Sequence, residues 1–353
     1  MIKEGIQKIV DGKDLSYLEA QAIMKELMSG NATSAQIASL LTALRMKGES
    51  IEEISAFAKV MRDFCLKIHP NVNKGIIDVV GTGGDRIKSF NVSTTASFIV
   101  AGVGIVVAKH GNRSFTSKCG SADVLEKLGY NLNTEPSLIE KSIEQVGIGF
   151  MFAPRFHPAM KHALEPRREI GIRTVFNILG PITNPAGADG YLLGVYERKL
   201  TKLMASVLKN LGSEEAMVVH GLDGLDEIST IGKTEIAWLK GGEISIMEVS
   251  PEDFGVRLAK QDEIAGSNPD ESAEFVFRIL NGFCTKGDPR MDIALVNAAA
   301  GIIVGGLADK FDEAMELAYE SIKSGFAYNK LKTMIKLCNG SMEKLEELEA
   351  RYD

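Results

Sequence analysis

The chain has 353 residues, a length that can bury a sizeable core in one large domain or two. Its 45% hydrophobic and 25% charged residues are typical of a globular protein. The 40 Lys and Arg residues are outnumbered by 47 Asp and Glu residues, and the formal net charge of −7 argues against an extended surface for DNA or RNA. A small phosphorylated ligand in a locally basic pocket is still compatible with this charge.

The cysteines and the apolar runs bear on the compartment. Cys65, Cys119, Cys284 and Cys338 lie far apart with no CxxC pair, which favours reduced thiols over a disulfide framework or a zinc site. Charges interrupt every apolar run near the N-terminus, so no signal peptide is expected. The chain has no run of about 18 or more apolar residues, so no transmembrane helix is expected. We therefore predict a cytoplasmic protein.

Helix start signals dominate residues 1–70. Each signal is a capping box, in which a hydroxyl accepts from a backbone amide and a side chain three residues later bonds back. Gly30 and Gly48 follow helical stretches as expected helix ends. The pattern predicts a small helical domain at 1–70, joined in space by part of 155–185. The three boxes pair Ser16 with Glu19, Thr33 with Gln36, and Ser50 with Glu53.

The pattern changes at Ile76, where short β-branched runs begin to alternate with helical segments. This alternation predicts βαβ units and an α/β fold, with a central, mostly parallel sheet flanked by helices, over residues 71–353. The segment Lys233–Val249 predicts a β-hairpin. Most of the chain after Asp270 has helical spacing, and the charged residues 341–353 predict a solvated tail.

Two polar loops follow neighbouring strands of the predicted sheet. The run 76–80 leads into a glycine loop at 81–85, and the run 104–108 leads into the polar segment 109–114. Both loops should emerge at the carboxyl edge of the sheet, where open α/β sheets bind ligands. The glycine loop fits neither commoner phosphate motif, because Arg86 replaces the third glycine of GxGxxG and Ile87 replaces a required P-loop glycine.

A glycine-rich turn alone is more often structural than functional, but its neighbours favour an anion site. Three glycines let backbone amides approach an anion, and the helix that begins near Ser93 adds its positive end. Any one neighbouring donor could be a solvated surface residue, whereas the whole set favours a phosphate or diphosphate. The donors are Lys109, Asn112, Arg113, Ser114, Ser117 and Ser121.

Two adjacent carboxylates, Asp226 and Glu227, follow a later strand. Such a pair suits Mg²⁺, which commonly bridges carboxylates to substrate phosphates, although two acids in a turn would be ordinary if they stood alone. Asp223 is a weaker candidate. The histidines show no HxxxH or HExxH spacing, so a zinc site is not expected, and the chain has no GxSxG motif.

Taken together, these motifs resemble the anthranilate phosphoribosyltransferase family. The resemblance implies a helical domain joined to a large α/β domain, a homodimer formed through the helical domain, and the stand-alone form without a glutamine amidotransferase domain. It also implies Mg²⁺-dependent transfer of phosphoribosyl from 5-phosphoribosyl 1-diphosphate (PRPP) to anthranilate in tryptophan biosynthesis. The motifs are GTGGD at 81–85, NVST at 91–94, KHGNRS at 109–114, RREIGIRTVFNILGPITNP at 167–185 and GLDEIS at 224–229.

The resemblance also implies roles for single residues. Gly81, Asn112 and Arg167 would face anthranilate. Ser93, Asp226 and Glu227 would be associated with magnesium, and the catalytic set would be Lys109 with the two carboxylates. Ser89 stands where the family pattern leads us to expect threonine. PRPP would contact Gly81, Gly84, Asp85, Ser89, Asn91, Val92, Ser93, Thr94, Lys109, His110, Gly111, Asn112, Arg113, Ser114, Phe115, Thr116, Ser117 and Ser121.

The chemistry agrees with these roles. Displacement at the anomeric carbon leaves negative charge on the departing diphosphate, which Lys109, backbone amides and Mg²⁺ would stabilise. An aromatic amine is neutral at pH 7, so a strong general base is not obligatory. Two alternatives stay open: a pyrimidine nucleoside phosphorylase of related fold, and a non-catalytic nucleic-acid-binding relative. The KHGNRS and RREIGIRT segments argue against the first, and the acidic charge argues against the second.

Overall fold

The N-terminal helices begin where their capping boxes predict. The computed structural model describes residues 1–84, 87, 89–114, 119–266 and 268–352. All three boxes form both of their hydrogen bonds, at Ser16, Thr33 and Ser50. The predicted helix starts are therefore confirmed. The first four helices are α1 (Ile2–Val10), α2 (Tyr17–Met28), α3 (Ser34–Lys47) and α4 (Ile51–Phe64).

A buried carboxylate links these helices. Glu53 is fully buried, and it accepts hydrogen bonds from the amides of Leu15 (2.9 Å) and Ser50 (2.8 Å). Lys47 donates to the same carboxylate at 2.9 Å. Because both carboxylate oxygens have partners, the burial of this charge is compensated. Glu53, which completes the capping box of α4, therefore also binds the loop before α2 through the amide of Leu15.

Residues from the 155–185 range lie beside the N-terminal helices. Helix α9 (Lys161–Ile170) packs against α2 and α3. Gly30 has a φ of +74°, and a Cβ placed there would lie 2.6 Å from the ring of His162. Glycine is therefore required at this turn for two reasons, the backbone conformation and the close approach of α9. The domain boundary near residue 70 stays a prediction.

A seven-stranded sheet forms the centre of the larger region. The first five strands pair in parallel, and the last two form an antiparallel hairpin that turns at Gly241 and Gly242. The order in the sheet is β3-β2-β1-β4-β5-β6-β7. The predicted fold class and hairpin are thus confirmed. The strands are β1 (Ile76–Gly81), β2 (Val106–Gly111), β3 (Ile148–Phe152), β4 (Gly190–Gly194), β5 (Glu215–Gly221), β6 (Thr234–Lys240) and β7 (Glu243–Val249).

Helices cover both faces of the sheet. On one face, α5 (Val92–Gly102) packs against β1 and β2, and α13 (Pro289–Val304) packs against α5, β1, β4 and β5. On the other face, α11 (Leu200–Asn210) lies between the sheet and α4. None of the helices in the described ranges is long and apolar enough to span a membrane. The remaining helices are α6 (Ser121–Lys127), α7 (Pro136–Val146), α8 (Ala153–Phe156), α10 (Phe176–Leu179), α12 (Pro269–Leu280), α14 (Phe311–Lys323), α15 (Phe326–Leu337) and α16 (Glu343–Tyr352).

The strand order places a switch point between β1 and β4. From β1 the chain adds β2 and β3 on one side, and it then returns to add β4 and β5 on the other side. In open α/β sheets, ligands bind outside the carboxyl ends of the strands at such a point. The polar loops that follow β1 and β2 therefore lie at one edge, as the sequence predicts, and the loop that follows β5 joins them there.

The predicted solvated tail is a helix with one buried face, and most of its charged side chains are exposed as expected. Residues 343–352 form α16, whose Leu345 is fully buried in the core of the α/β region. Leu348 and Tyr352 pack against the same core. The charged side chains that surround these three positions hid an amphipathic pattern that buries one face.

We expect Leu345→Ala to lower the free energy of unfolding by about 2–4 kcal/mol, because it removes buried methyl groups and leaves a cavity. Urea denaturation followed by circular dichroism measures this change. The exposed neighbour Glu346 provides the control, since Glu346→Ala should change stability by less than about 0.5 kcal/mol. Equal stability of the two variants would show that α16 is not packed as described.

Candidate active site

The glycine loop after β1 is closed by the carboxylate of Asp226. The amide of Gly83 donates to Asp226 Oδ2 at 2.7 Å, and the amide of Thr82 donates to the carbonyl of Gly194 at 2.9 Å. A Cβ on Gly81 would lie 2.7 Å from Asp226 Oδ2. A side chain at 81 would therefore push this carboxylate away from the amide of Gly83.

The next turn of the loop is held by Arg173. Gly83 and Gly84 have φ values of +66° and +82°, a region that favours glycine. The guanidinium of Arg173 donates to the carbonyl of Gly84 and lies over the ring of Tyr196, 4.4 Å from its centroid. The amide of Tyr196 in turn donates to Thr82 Oγ1 at 3.2 Å. Sequence reasoning did not assign Arg173 or Tyr196 to the site.

The two predicted metal carboxylates are almost completely buried. Asp226 is 8% exposed and Glu227 is 9% exposed. Glu227 Oε1 accepts from the amide of Ser93 at 3.2 Å, in the first turn of α5. Burial raises the pKa of Asp226, whereas the hydrogen bond from Gly83 lowers it. The sheet thus brings the loop after β5 against both the glycine loop and the start of α5.

Lys109 supplies a buried positive charge beside these carboxylates. It is 3% exposed, and its Nζ donates to the carbonyl of Val79 at 2.6 Å and to Ser93 Oγ at 3.4 Å. Burial lowers the pKa of Lys109 to about 8, while Asp78 and Glu227 act in the opposite direction. The ammonium is thus held between β1 and the first turn of α5.

The predicted magnesium ligands fit Mg²⁺. Asp226, Glu227 and Ser93 offer only oxygen atoms, and the hydrogen bond between Ser93 and Glu227 brings two of the three together. No group of three or more His, Cys, Asp or Glu residues in the described part of the chain could hold a metal ion. A site with few carboxylates that is completed by water and substrate phosphates is what Mg²⁺ prefers.

A further buried carboxylate, which sequence reasoning missed, lies in β1. Asp78 is fully buried, and it accepts from Asn184 Nδ2 at 2.7 Å and from the amide of His110 at 3.3 Å. Asn184 Nδ2 also donates to the carbonyl of Ala108 at 2.7 Å. Burial raises the pKa of Asp78 to about 7, and attraction to Lys109 is the largest opposing effect. The sequence signal that could have found Asp78 is its position as the one carboxylate in an otherwise apolar strand.

Two buried histidine rings, those of His110 and His157, lie close together near the carboxyl end of β2. The rings of His110 and His157 are 5.0 Å apart between centroids, and His110 Nδ1 lies 3.1 Å from the carbonyl of Gly180. The Nε2 atoms of both rings are buried, without a hydrogen-bond partner in the part of the chain that the structure describes. Burial lowers the pKa of His110 well below its usual value and lowers that of His157 to about 4. Both rings are therefore neutral near pH 7.

The polar loop after β2 is tied to α6. The guanidinium of Arg113 pairs with Asp123 and with Glu126, both at 2.8 Å, and it would have to leave these carboxylates to bind a phosphate. Asn112 Oδ1 accepts from the amide of Arg113 at 2.7 Å, and Ser121 Oγ donates to the carbonyl of Asn112 at 3.3 Å. The amide of Ser114 donates to Asp123 Oδ2 at 3.1 Å.

The other residues that are predicted to contact PRPP differ in their surroundings. Val92 is buried in the core, so only its backbone could contact a ligand. Thr94 Oγ1 and Asn91 Oδ1 are buried, and neither has a partner among the described residues. Ser89 forms an isolated β-bridge with Ala265. The predicted contacts Asp85, Phe115, Thr116 and Ser117 lie outside the described residues.

The predicted acceptor residue Arg167 is half-buried on α9. Its guanidinium lies over the ring of Phe176, 5.1 Å from the centroid, and burial lowers its pKa. Within the described ranges, it forms no ion pair with any carboxylate. A guanidinium on an aromatic face can bind a ligand carboxylate through both of its outer nitrogens. Asp223, the weaker metal candidate, instead accepts from Leu225 and Ser229 within its own loop.

Comparison with known proteins identifies the family. Residues 73–328 match the α/β domain of the glycosyl transferase family, and residues 3–65 match its helical bundle domain. Anthranilate phosphoribosyltransferase from Acetivibrio thermocellus is 50% identical, over 96% of this chain and 97% of the relative. The enzyme from Methanococcoides burtonii is 48% identical, over 96% and 95%. The chain belongs to the anthranilate phosphoribosyltransferase family.

Solved structures agree with this assignment. The crystal structure of anthranilate phosphoribosyltransferase from Thermus thermophilus is 38% identical with a TM-score of 0.89, covering 95% of this chain and 99% of that one. The enzyme from Saccharomyces cerevisiae in complex with PRPP and Mg is 28% identical with a TM-score of 0.88, covering 96% and 98%. The predicted family, fold and enzyme class are confirmed, whereas the roles of single residues stay predictions.

The neutral histidine pair makes stability depend on pH. His157 has a folded pKa of about 4, below its unfolded value of about 6.5, so acid protonates the unfolded state first. Its contribution is present above pH 6.5 and is lost as the pH falls towards 4. We expect the free energy of unfolding to fall by about 2 kcal/mol between pH 7 and pH 5 from this group.

Urea denaturation at the two pH values measures this loss. His157→Gln should reduce the difference between pH 7 and pH 5, whatever its effect on stability at pH 7. Asn210→Gln, at an exposed residue that does not titrate, should leave the difference as in the unmodified chain. A His157→Gln protein with an unchanged pH dependence would contradict the burial of a neutral imidazole.

Proposed function

We propose that this chain transfers the 5-phosphoribosyl group of PRPP to the amine of anthranilate and releases diphosphate, as a step of tryptophan biosynthesis. One observation carries the proposal. Two buried carboxylates, Asp226 and Glu227, meet the glycine loop and Lys109 at the switch point of the sheet. The relatives and solved structures that carry this enzyme's name support the same reaction.

The chain's own residues suit a reaction in which charge develops on the leaving group. As the amine attacks the anomeric carbon, the bond from that carbon to the diphosphate oxygen breaks and leaves negative charge on the diphosphate. The buried ammonium of Lys109 is fixed by Val79 and Ser93 before the reaction, so its reorientation costs little. Holding the neutral amine beside the anomeric carbon lowers the entropic barrier.

Asp226, Glu227 and Ser93 would hold Mg²⁺. When bound there, the ion neutralises charge on the diphosphate. The structure adds a reason for the burial of the pair: a carboxylate removed from water attracts a cation more strongly than an exposed one. The yeast relative was solved in complex with PRPP and Mg, which supports magnesium as the ion.

Arg167 would bind the carboxylate of anthranilate. Its guanidinium forms no ion pair in the described part of the chain and is stacked on Phe176. Gly81 and Asn112 would complete the acceptor site, as the family resemblance implies. The yeast relative was also solved in complex with 4-fluoroanthranilate, which supports an aromatic acid as the acceptor.

We also propose a homodimer formed through the N-terminal helices and a cytoplasmic location. Large apolar side chains on α2 and α3 are exposed, with Leu18 at 74% and Met46 at 84%. An apolar surface of this kind is typical of a protein contact. The four cysteines form no disulfide, as expected for a reducing compartment.

An anthranilate fluorescence assay tests the reaction. We expect the fluorescence of anthranilate to fall only when PRPP and Mg²⁺ are both present. Asp226→Asn keeps the size of the side chain but removes its charge, so it should slow the reaction at least about 100-fold. No change with the unmodified chain would overturn the proposed function. Cleavage of a pyrimidine nucleoside by phosphate would favour the phosphorylase alternative instead.

The acceptor role of Arg167 has its own test. Arg167→Ala should raise the KM for anthranilate about 10-fold or more, because a hydrogen-bonded ion pair contributes about 1.5–3 kcal/mol. The KM for PRPP should change by less than about twofold. Arg168→Ala removes the same charge from an exposed neighbour and should leave both constants unchanged. Equal effects of the two substitutions would refute this role.

A further inference from the structure

The glycine loop is attached to the protein on two sides. On one side, Thr82 bonds to Gly194 and to Tyr196 at the end of β4, and Gly83 bonds to Asp226 after β5. On the other side, the Gly84 carbonyl accepts from Arg173. Arg173 lies between α9 and α10, six residues after Arg167. The second attachment therefore joins the glycine loop to the segment after Arg167, the residue proposed to bind the acceptor.

The fit between Arg173 and Gly84 is close. A Cβ on Gly84 would lie 2.8 Å from a terminal nitrogen of Arg173. The guanidinium thus occupies the space that a side chain at 84 would need, which adds a packing reason for glycine to its φ of +82°. This contact lies between residues 89 positions apart, so it exists only in the folded chain.

The guanidinium of Arg173 forms no ion pair in the described part of the chain, although Asp226 and Glu197 attract it from a distance. Its flat face lies 4.4 Å from the centroid of Tyr196, and a stacked guanidinium is already oriented for hydrogen bonding. Arg173 is held by the same residue, Tyr196, whose amide bonds to Thr82.

We propose that Arg173 is a positioning residue that fixes the glycine loop through the Gly84 carbonyl and joins that loop to the acceptor segment. It acts through the loop rather than on the reacting atoms. A loop fixed before binding loses less conformational entropy when PRPP binds, so Arg173 raises the affinity for PRPP. The identity of the ligand rests on the function proposed above, whereas the fixing of the loop does not.

Amide hydrogen exchange of the ligand-free protein tests the fixing of the loop. Arg173→Ala should speed exchange at the amides of Thr82 and Gly83 about 10-fold, because their hydrogen bonds open more often. The amide of Val195, bonded to Val219 at 2.9 Å, should be unaffected. This measurement tests whether Arg173 fixes the glycine loop, even if the chain does not bind PRPP.

Titration calorimetry with PRPP and Mg²⁺ tests the effect on binding. We expect Arg173→Ala to raise the Kd for PRPP about 10-fold and Arg173→Lys to recover part of the loss, since a lysine keeps the charge but not the planar fork. Arg168→Ala should stay within about twofold of the unmodified chain. Steady-state kinetics should show a larger change in the KM for PRPP than in kcat.

One result would overturn the proposal: Arg173→Ala folds, and its exchange at Thr82 and Gly83 and its Kd for PRPP match those of Arg168→Ala. If Arg173→Ala does not fold, Tyr196→Leu takes its place, because it removes the ring under the guanidinium and keeps Arg173. The Tyr196→Leu protein should also exchange faster at these two amides, and unchanged exchange there would equally overturn the proposal.

Discussion

The site depends on one contact, the approach of the buried Asp226 carboxylate to the backbone of the glycine loop. Gly83 donates to this carboxylate, and the lack of a side chain at Gly81 leaves room for it. Because a buried charge is costly without partners, the loop and the carboxylate stabilise each other's positions. Glu227, directly after Asp226, then reaches the start of α5 at Ser93. A single loop after β5 thereby brings the two proposed metal ligands, Asp226 and Glu227, to the glycine loop and to the start of α5.

A layer of buried polar groups lies beneath this contact. Asp78 and Lys109 come from adjacent strands, and each influences the pKa of the other. Asn184 joins Asp78 to β2, and His110 contacts Gly180, so the 180–185 segment is attached to the strands that carry the site. Such groups cost free energy to bury unless they are satisfied, and here nearly every hydrogen bond joins two different segments. The layer positions the site residues before any substrate binds.

Much of the fold followed from local patterns. The capping boxes specify helix starts because both partners of each bond lie within four residues, and the alternation of β-branched runs with helices specifies a parallel sheet. The α16 segment was misjudged because its three core-facing residues are spaced among many charges. The glycine loop, Lys109 and the Asp226–Glu227 pair were predicted as parts of the site because several motifs occur in a fixed order, although no single one specifies the reaction.

The sequence by itself determined the helical and α/β regions, the family and a set of candidate residues. Only the tertiary structure decided which residues meet, including some that were not candidates: Asp226 with Gly83, 143 positions away, Asn184 with Asp78, 106 positions away, and Arg173 with Gly84, 89 positions away. The tertiary structure also paired Arg113 with Asp123 and Glu126. The reason is physical: periodicity reports which face of an element is buried, whereas contacts between distant segments depend on the order of the strands in the sheet.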